Sequence, residues 1–428
     1  MRSFAGLAML LAVSSAGTAQ TGAITTLFGF PKPVADGKDP IGLVVAPNGG
    51  LYGTASSGGK GGAGALFELQ PPSAAGEPWS ETVLHMFGKQ LDGFSPSGLV
   101  TGKNGEIYVV TAYGGGANYG AVFELSPPGT ADGPWTESVL HSFSTGADGD
   151  GSVPYGNLAL GADGSLYGTT TLGGSACAGG GCGTVFQLVP PVSPGDPWTE
   201  TVIYSFTGGS DGNYPYSGVT MGSDGKLYGV APFGGSANNA VCNGGCGAVF
   251  SLSPQPAGGW AEQTLLEFGG RNGAFPSAAL LLDTQGRLYG VTAGGGDTKH
   301  CGSGCGTVFE LIPPAHGKSS WTEKVLLKCA ENRGPRFPVA IALGPNGSLY
   351  VTGSRAEGAS GGTRRIISVR WRLEGNRGIS LPGPPALHRG GAGGISGRRC
   401  ERRAVWDYNR QQSPGPPGGG TSSRLRLS

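Results

Sequence analysis

Leu166-Tyr167-Gly168-Thr169-Thr170 sets the period of this chain, because near copies of it return along the sequence with their neighbours at fixed offsets. The copies begin at Leu51, Ile107, Leu166, Leu227, Leu288 and Leu349, at intervals of 56, 59, 61, 61 and 61 residues. A period of that length marks a chain built from one repeated supersecondary unit. On the N-terminal side of the stretch, Trp135 to Phe143 alternates polar and apolar residues and is rich enough in β-branched types to be a half-buried strand. A Gly/Asp loop then runs to Pro154, Asn157 to Leu160 is a short apolar strand, and Asp163-Gly164 is a hairpin turn into Leu166–Thr170. On the C-terminal side a Gly-rich loop leads to a fourth strand over Gly183–Leu188, closed by Pro190-Pro191.

Four antiparallel strands in about 60 residues, repeated, predict an all-β fold, a β-propeller of four-stranded blades. About six blades fit in this chain. The hairpin turn recurs as Asn48-Gly49, Asn104-Gly105, Asp163-Gly164, Asp224-Gly225, Gln285-Gly286 and Asn346-Gly347. The tryptophan strand recurs at Trp79, Trp135, Trp198, Trp260 and Trp321. An earlier copy without tryptophan, Ile24 to Phe30, precedes any complete unit, so Thr25–Phe28 is expected to complete the last blade and close the ring. No segment carries an apolar period of 3.6, which excludes a helical repeat. The 85 glycines and 32 prolines would suit a disordered chain, but they fall at the turns of the repeat.

Met1-Arg2-Ser3, the apolar run Phe4–Val13 and the small residues up to Ala19 have the pattern of a secretory signal peptide, so residues 1–19 are assigned to it and 20–353 to the repeat domain. No other stretch is apolar for the ~20 residues a membrane-spanning helix needs. After Gly353 the repeat vanishes. Residues 354–428 hold 14 of the 29 Lys and Arg but 4 of the 28 Asp and Glu, so a net charge of +1 conceals a body near −9 and a tail near +10. A basic tail can be a nucleic-acid arm. The genetic code favours another origin: Ala404–Asn409 read one base later allows Leu-Tyr-Gly-Thr-Thr. The codons from Leu373 likewise allow Trp-Arg-Glu-Thr-Val, 31 residues earlier, the spacing of Trp135 from Leu166. The tail is therefore read as disordered out-of-frame translation beyond a frameshift between about 354 and 371, and the parent as a seven-bladed protein. No nucleic-acid partner is expected.

Cys177 and Cys182, Cys242 and Cys246, and Cys301 and Cys305 occupy the same loop of three successive units. In an exported chain each pair is expected to form a local disulfide, contributing roughly 2 kcal/mol by loop-closure entropy. Zinc would need these pairs to share one ion across blades, and no metal is assigned to them. Cys329 reads as a buried free thiol, and Cys400 lies in the tail. His85 and His141 are read as occupying the strand position held by Tyr204, Glu267 and Lys328 elsewhere, a tolerance unlike that of a catalytic histidine; His300 and His316 sit in loops and His388 in the tail. No nucleophile elbow, phosphate loop or clustered metal-ligand spacing occurs. Strands such as Leu158–Leu160 and Val219–Met221 give an axial metal no ligands. Asp92, Asp148, Asp211 and Asn272 recur in the loop between units, where a calcium ion or simple turn formation would each explain them.

Strand alternation puts the inter-unit loop and the cysteine loop at one end, opposite the tight hairpin, and binding sites favour such loop faces. Tyr113, Tyr119, Tyr155, Tyr214, Tyr216 and Phe233, with Asp148 and Asp211, are the candidate binding residues there; the aromatics can stack on a ligand or pack beneath the loops. Leu-Tyr-Gly-Thr-Thr, Gly-Thr-Val-Phe and Trp-Thr-Glu-Thr-Val, as at 166–170, 183–186 and 198–202, resemble the GloVer tandem repeats of bacterial exported proteins over roughly residues 24–353. That resemblance implies a propeller-like secreted protein, often with a C-terminal surface anchor, and no established reaction. The chain departs from it in lacking a recognisable anchor, which a frameshift would remove. The expectation is a secreted, periplasmic or surface-attached monomer that binds a glycan, peptide or protein without catalysis. Its rivals are a carbohydrate-active propeller enzyme, a lyase or glycosidase, and a purely structural envelope protein.

Overall fold

The computed structural model describes residues 37–355 except 60, 75–76, 89–91, 131–132, 145–148, 178–179, 194, 237–240, 300, 316–317, 330–335 and 344–347, together with residues 7–8, 28–29 and 365–372. Among the described residues there are strands and turns and no helix, so none that could cross a membrane. The strands form five antiparallel four-stranded blades arranged as a β-propeller, followed by a sixth, three-stranded sheet. From the inner to the outer strand, the first blade is Lys38–Val45, Leu51–Ser57, Ala65–Gln70 and Ser80–Met86, and the second is Gly93–Thr101, Ile107–Gly114, Ala121–Ser126 and Thr136–Ser142. The fourth runs from Val219–Met221 through Leu227–Ala231 and Ala248–Pro254 to Trp260–Glu267.

In the third and fifth blades the inner strand is broken in two. Gly151–Pro154 and Ala159–Leu160 both pair with Leu166–Gly173, and Ala274–Pro276 and Leu281–Leu282 both pair with Leu288–Gly294. Thr184–Val189 and Thr199–Ser205 complete the third blade; Thr307–Ile312 and Thr322–Lys328 complete the fifth. The segment ending at Pro154, expected as a loop, is therefore partly strand. Its glycines and aspartates hide the pairing, which is made by backbone groups alone.

Burial follows position in the blade. Third strands are buried on both faces, as Ala65–Leu69 shows, because they are covered by the blades on either side. Outer strands alternate exposed and half-buried residues, which is why only they carry the clean period-2 signature. Between the two middle strands a glycine faces a phenylalanine: Gly168 pairs with Phe186, Gly229 with Phe250 and Gly290 with Phe309.

Blade meets blade through two recurring aromatic contacts. The tyrosine of the Leu-Tyr-Gly stretch stands edge-on to the tryptophan of the next blade: Tyr52 to Trp135, Tyr108 to Trp198, Tyr167 to Trp260 and Tyr228 to Trp321, with ring centres 5.7–6.2 Å apart. The phenylalanine that ends each outer strand meets the third-strand phenylalanine of the next blade, as Phe206 meets Phe250 at 5.0 Å and Phe268 meets Phe309 at 5.2 Å. Each such pair adds roughly 0.5–1.5 kcal/mol beyond burial. Cys329 takes the phenylalanine's place after the fifth outer strand; it is buried and free, and burial pushes its thiol up to about 12.

A third joint is made by the backbone. Ser95, Val153, Tyr214, Phe275 and Phe337 each have a φ between 49° and 57° and each precede a proline. Their N–H groups donate, all at 2.8 Å, to carbonyls in the preceding blade: those of Ala63, Tyr119, Cys182, Cys246 and Cys305. The proline ring then lies over a glycine of that blade, Gly183 beneath Pro215 and Gly247 beneath Pro276.

The ring-closing strand expected at Thr25–Phe28 is not found in that role. Phe28 pairs with Ala8, in a two-stranded ladder of Leu7–Ala8 with Phe28–Gly29, and Thr25–Leu27 lie outside the described residues. In the last sheet Arg336–Leu343 pairs with Ser348–Arg355, and the third place is taken by Arg365–Arg372. The boundary drawn at 353 thus falls within a strand, and Ile366, Ile367, Val369 and Trp371 suit the segment beyond it to pleated pairing.

Gly183, at φ 91°, shows how tight this joint is: a Cβ there would lie 2.5 Å from the Thr170 carbonyl oxygen and 2.6 Å from Pro215 Cδ. Gly183→Ala is expected to cost at least about 2 kcal/mol in denaturant unfolding, combining left-handed strain with overpacking. Gly225→Ala, at φ 78° with nothing within 4 Å, is expected to cost about 1 kcal/mol. Equal costs for the two would contradict the joint.

Candidate functional site

Two places gather chemistry: the face carrying the clipped loops, and the outer junctions between blades. At the first, Cys177–Cys182, Cys242–Cys246 and Cys301–Cys305 form disulfides, with Cα separations of 5.6, 5.0 and 5.4 Å. Each clip ends on the residue whose carbonyl receives the N–H of the next blade, so it fixes a docking point as well as a loop. The inter-unit loop lies against it: a Cβ on Gly208 would stand 3.1 Å from Cys182 Sγ.

The expected binding residues divide on this face. Tyr214 stands edge-on to Phe233 at 6.2 Å, and Phe233, 39% exposed, lies 5.6 Å from Phe275 of the next blade. Tyr113 stacks on Phe94, ring centres 5.3 Å apart, as a second and separate pair. Tyr119 is exposed, Tyr155 is tied by backbone bonds to Thr169, and Tyr216 is half-buried. Phe94 and Phe275 are missing from the residues that sequence alone points to. Phe275 has a signal that could find it, since it precedes Pro276 as Tyr214 precedes Pro215.

Asp211 is buried and accepts bonds from Tyr204 OH at 3.0 Å, Thr207 N at 2.7 Å and Thr207 Oγ1 at 2.6 Å. Its carboxylate serves the turn. Asp148 lies outside the described residues, as do His300, His316, His388 and Cys400; the carboxylate at the corresponding junction is Asp150, which accepts from the Ser144 and Gly151 amides.

At the outer junctions three groups meet: the sixth residue after the tryptophan of one blade, the Asp or Asn of the connecting loop, and the Glu two residues after the tryptophan of the next blade. They are His85, Asp92 and Glu137, then His141, Asp150 and Glu200, and in each trio one donor atom per residue lies within 4.8 Å of the others. The third junction has Tyr204, Asp211 and Glu262. The fourth has Asn272 donating to Glu323 at 2.9 Å. The pairing register corrects one equivalence: Leu266 and Leu327, not Glu267 and Lys328, match His85, His141 and Tyr204, since they face Val249 and Val308 as Tyr204 faces Val185. At this position histidine thus stands at the first two junctions, both half-buried, with Tyr204, Leu266 and Leu327 at the next three.

Burial governs the electrostatics here. It raises the Glu262 carboxyl, with Asp211 adding to the effect against a bond from Thr264. It also raises Glu323, against the pull of Asn272 and Lys328. For Asp150 burial acts upward too, but the nearby His141 imidazole and the bonds from the Ser144 and Gly151 amides outweigh it and hold the carboxyl below its ordinary value.

The profile of the Gloeobacter/Verrucomicrobia repeat matches residues 16–242 and 178–364. No curated protein matches the chain. Solved structures similar to it include a gluconolactonase from Xanthomonas campestris, at 12% identity and a TM-score of 0.43, covering 75% of this chain and 85% of that one. Another is the PQQ-bound aldose sugar dehydrogenase from Streptomyces coelicolor, at 13% identity and a TM-score of 0.45, covering 79% and 96%.

Glu323 provides a check on the junction electrostatics. Its folded-state value is raised, so the stability it lends is whole below the unfolded carboxyl range and is lost as pH rises through the folded value. Glu323→Gln keeps an acceptor for Asn272 and removes the buried charge. Its melting temperature should exceed the parent's at pH 7, with the gain vanishing below pH ~4. A lower melting temperature at pH 7 would contradict the assignment.

Proposed function

As this chain belongs to the Gloeobacter/Verrucomicrobia repeat family, we propose that it is an exported propeller that binds a ligand, without catalysis, on the face of its disulfide-clipped loops. The cluster Tyr214, Phe233 and Phe275 carries this reading: three rings from two adjacent blades, Phe233 exposed, and Tyr214 and Phe275 anchored by their amides to Cys182 and Cys246 of the clips Cys177–Cys182 and Cys242–Cys246. Rings held this way present a rigid apolar surface at little entropic cost on binding. A sugar ring or an apolar peptide side chain is the matching chemistry. Export is supported by the Met1–Ala19 pattern and by three disulfides, which persist in oxidising compartments.

The rival enzyme would need two carboxylates facing each other across a cleft, roughly 5–10 Å apart. Among the described residues, the Asp–Glu pairs of the first two junctions converge more closely than that, with a histidine between them. Neither of these two pairs has that separation, and the reading proposed here is of a binder. The oligomeric state that goes with it is a monomer.

Screening the protein on glycan and peptide arrays identifies the ligand, and Phe233→Ala tests the site. We expect about a tenfold loss of affinity, the worth of one stacking contact, with an unchanged melting temperature. Affinity indifferent to Phe233, or turnover of the bound glycan, would refute the reading.

A further inference from the structure

We propose that the outer junctions between the first and second and between the second and third blades are binding sites for a divalent transition-metal cation such as zinc. One is held by His85, Asp92 and Glu137 and the other by His141, Asp150 and Glu200. These sites are remote in chemistry from the aromatic loop face and do not depend on the function proposed for it.

The geometry at the first junction is the starting point. Asp92 Oδ1 lies 3.3 Å and Glu137 Oε2 3.1 Å from the same nitrogen, His85 Nε2. That nitrogen carries at most one hydrogen, whichever way the imidazole is protonated, so it cannot give a well-directed bond to both carboxylates. A cation equidistant from all three atoms serves them all. With metal–ligand distances of about 2.0–2.1 Å, neighbouring ligands of a tetrahedral ion stand about 3.3 Å apart, close to the separations seen here.

The side chains of His85, Asp92 and Glu137 are 17%, 3% and 23% exposed, a largely dry site with one open side for a water or a fourth ligand. The second junction repeats the design in looser form. His141 Nε2 is buried, 3.7 Å from Asp150 Oδ2, and has no hydrogen-bond partner among the described residues. Both imidazoles are held edge-on to a core phenylalanine, Phe87 at 4.6 Å and Phe143 at 4.7 Å, so the two rings share one kind of seat.

The remaining junctions act as built-in comparisons. At the third, the Tyr204 hydroxyl donates to Asp211; at the fourth, the Asn272 amide donates to Glu323. In each a fixed hydrogen-bond donor stands where a cation would otherwise be needed. One imidazole nitrogen with two carboxylate oxygens is a borderline donor set that suits zinc and its neighbours, whereas calcium seeks six or more oxygens. This departs from the calcium reading of the inter-unit aspartates: the loop acid contributes, but with a histidine and a glutamate from flanking blades.

Isothermal titration of the chelator-treated full chain with zinc tests the proposal, with calcium as the comparison ion. Two equivalents of zinc should bind, and calcium should not displace them. His85→Gln and His141→Gln should each remove one equivalent or weaken it at least tenfold, and the double variant should remove both. Circular dichroism of each variant without metal separates loss of a site from loss of the fold. Tyr204→His, which removes no proposed ligand, should add a third equivalent. Zinc binding absent from the parent chain, or a stoichiometry unchanged in the double histidine variant, overturns the proposal.

Discussion

Each blade hangs on the one before it by an amide donated from a residue in the left-handed region of backbone space. For Val153 that conformation is especially costly, since β-branched side chains crowd their own backbone there. Strain of roughly 1–3 kcal/mol per residue persists only where surroundings over-determine it. Here they do: the N–H is consumed by a carbonyl of the preceding blade, and the proline that follows is seated on a glycine of that blade. Five such joints recur among the described residues, and the inner strands are placed by them.

Much else reads as a consequence. The glycine under the proline must be glycine, which accounts for the Gly at the start of each Gly-x-Val-Phe stretch. The disulfide clips stiffen the loop that supplies the accepting carbonyl in three units; Ala63 and Tyr119 supply it in the first two without a clip. The Tyr–Trp and Phe–Phe contacts then fill the space between sheets already registered by the backbone. Variation is left to positions that the joint does not use: the exposed ring of Phe233, the histidines of two outer junctions, the lengths of the loops.

The blades themselves are legible in the sequence because hairpin turns need Asn, Asp or Gly and because outer strands are solvated on one face. Inner strands are harder to read. Gly151–Pro154 looks like a loop since its pairing uses backbone groups only, and the residues on either side of Val153 are punctuation by composition. The aromatic cluster of the loop face is half visible: Tyr214 and Phe233 stand out as aromatics on long loops, while Phe275 belongs to a strand and escapes a search of the loops. The junction trios are hidden for a topological reason, as each draws on two blades. Aligning the tryptophan strands one residue differently sets Leu266 and Leu327 opposite the histidines and isolates those two positions.

Native-state hydrogen exchange at the amides of Ser95, Val153, Tyr214, Phe275 and Phe337 tests the central claim most directly. If these bonds hold blade to blade, the five amides exchange as slowly as those of the buried third strands, through opening of the whole array. Exchange at the rate of the neighbouring loops would mean that the blades are held by their side chains alone, and would contradict the backbone joint as the constraint on which the array depends.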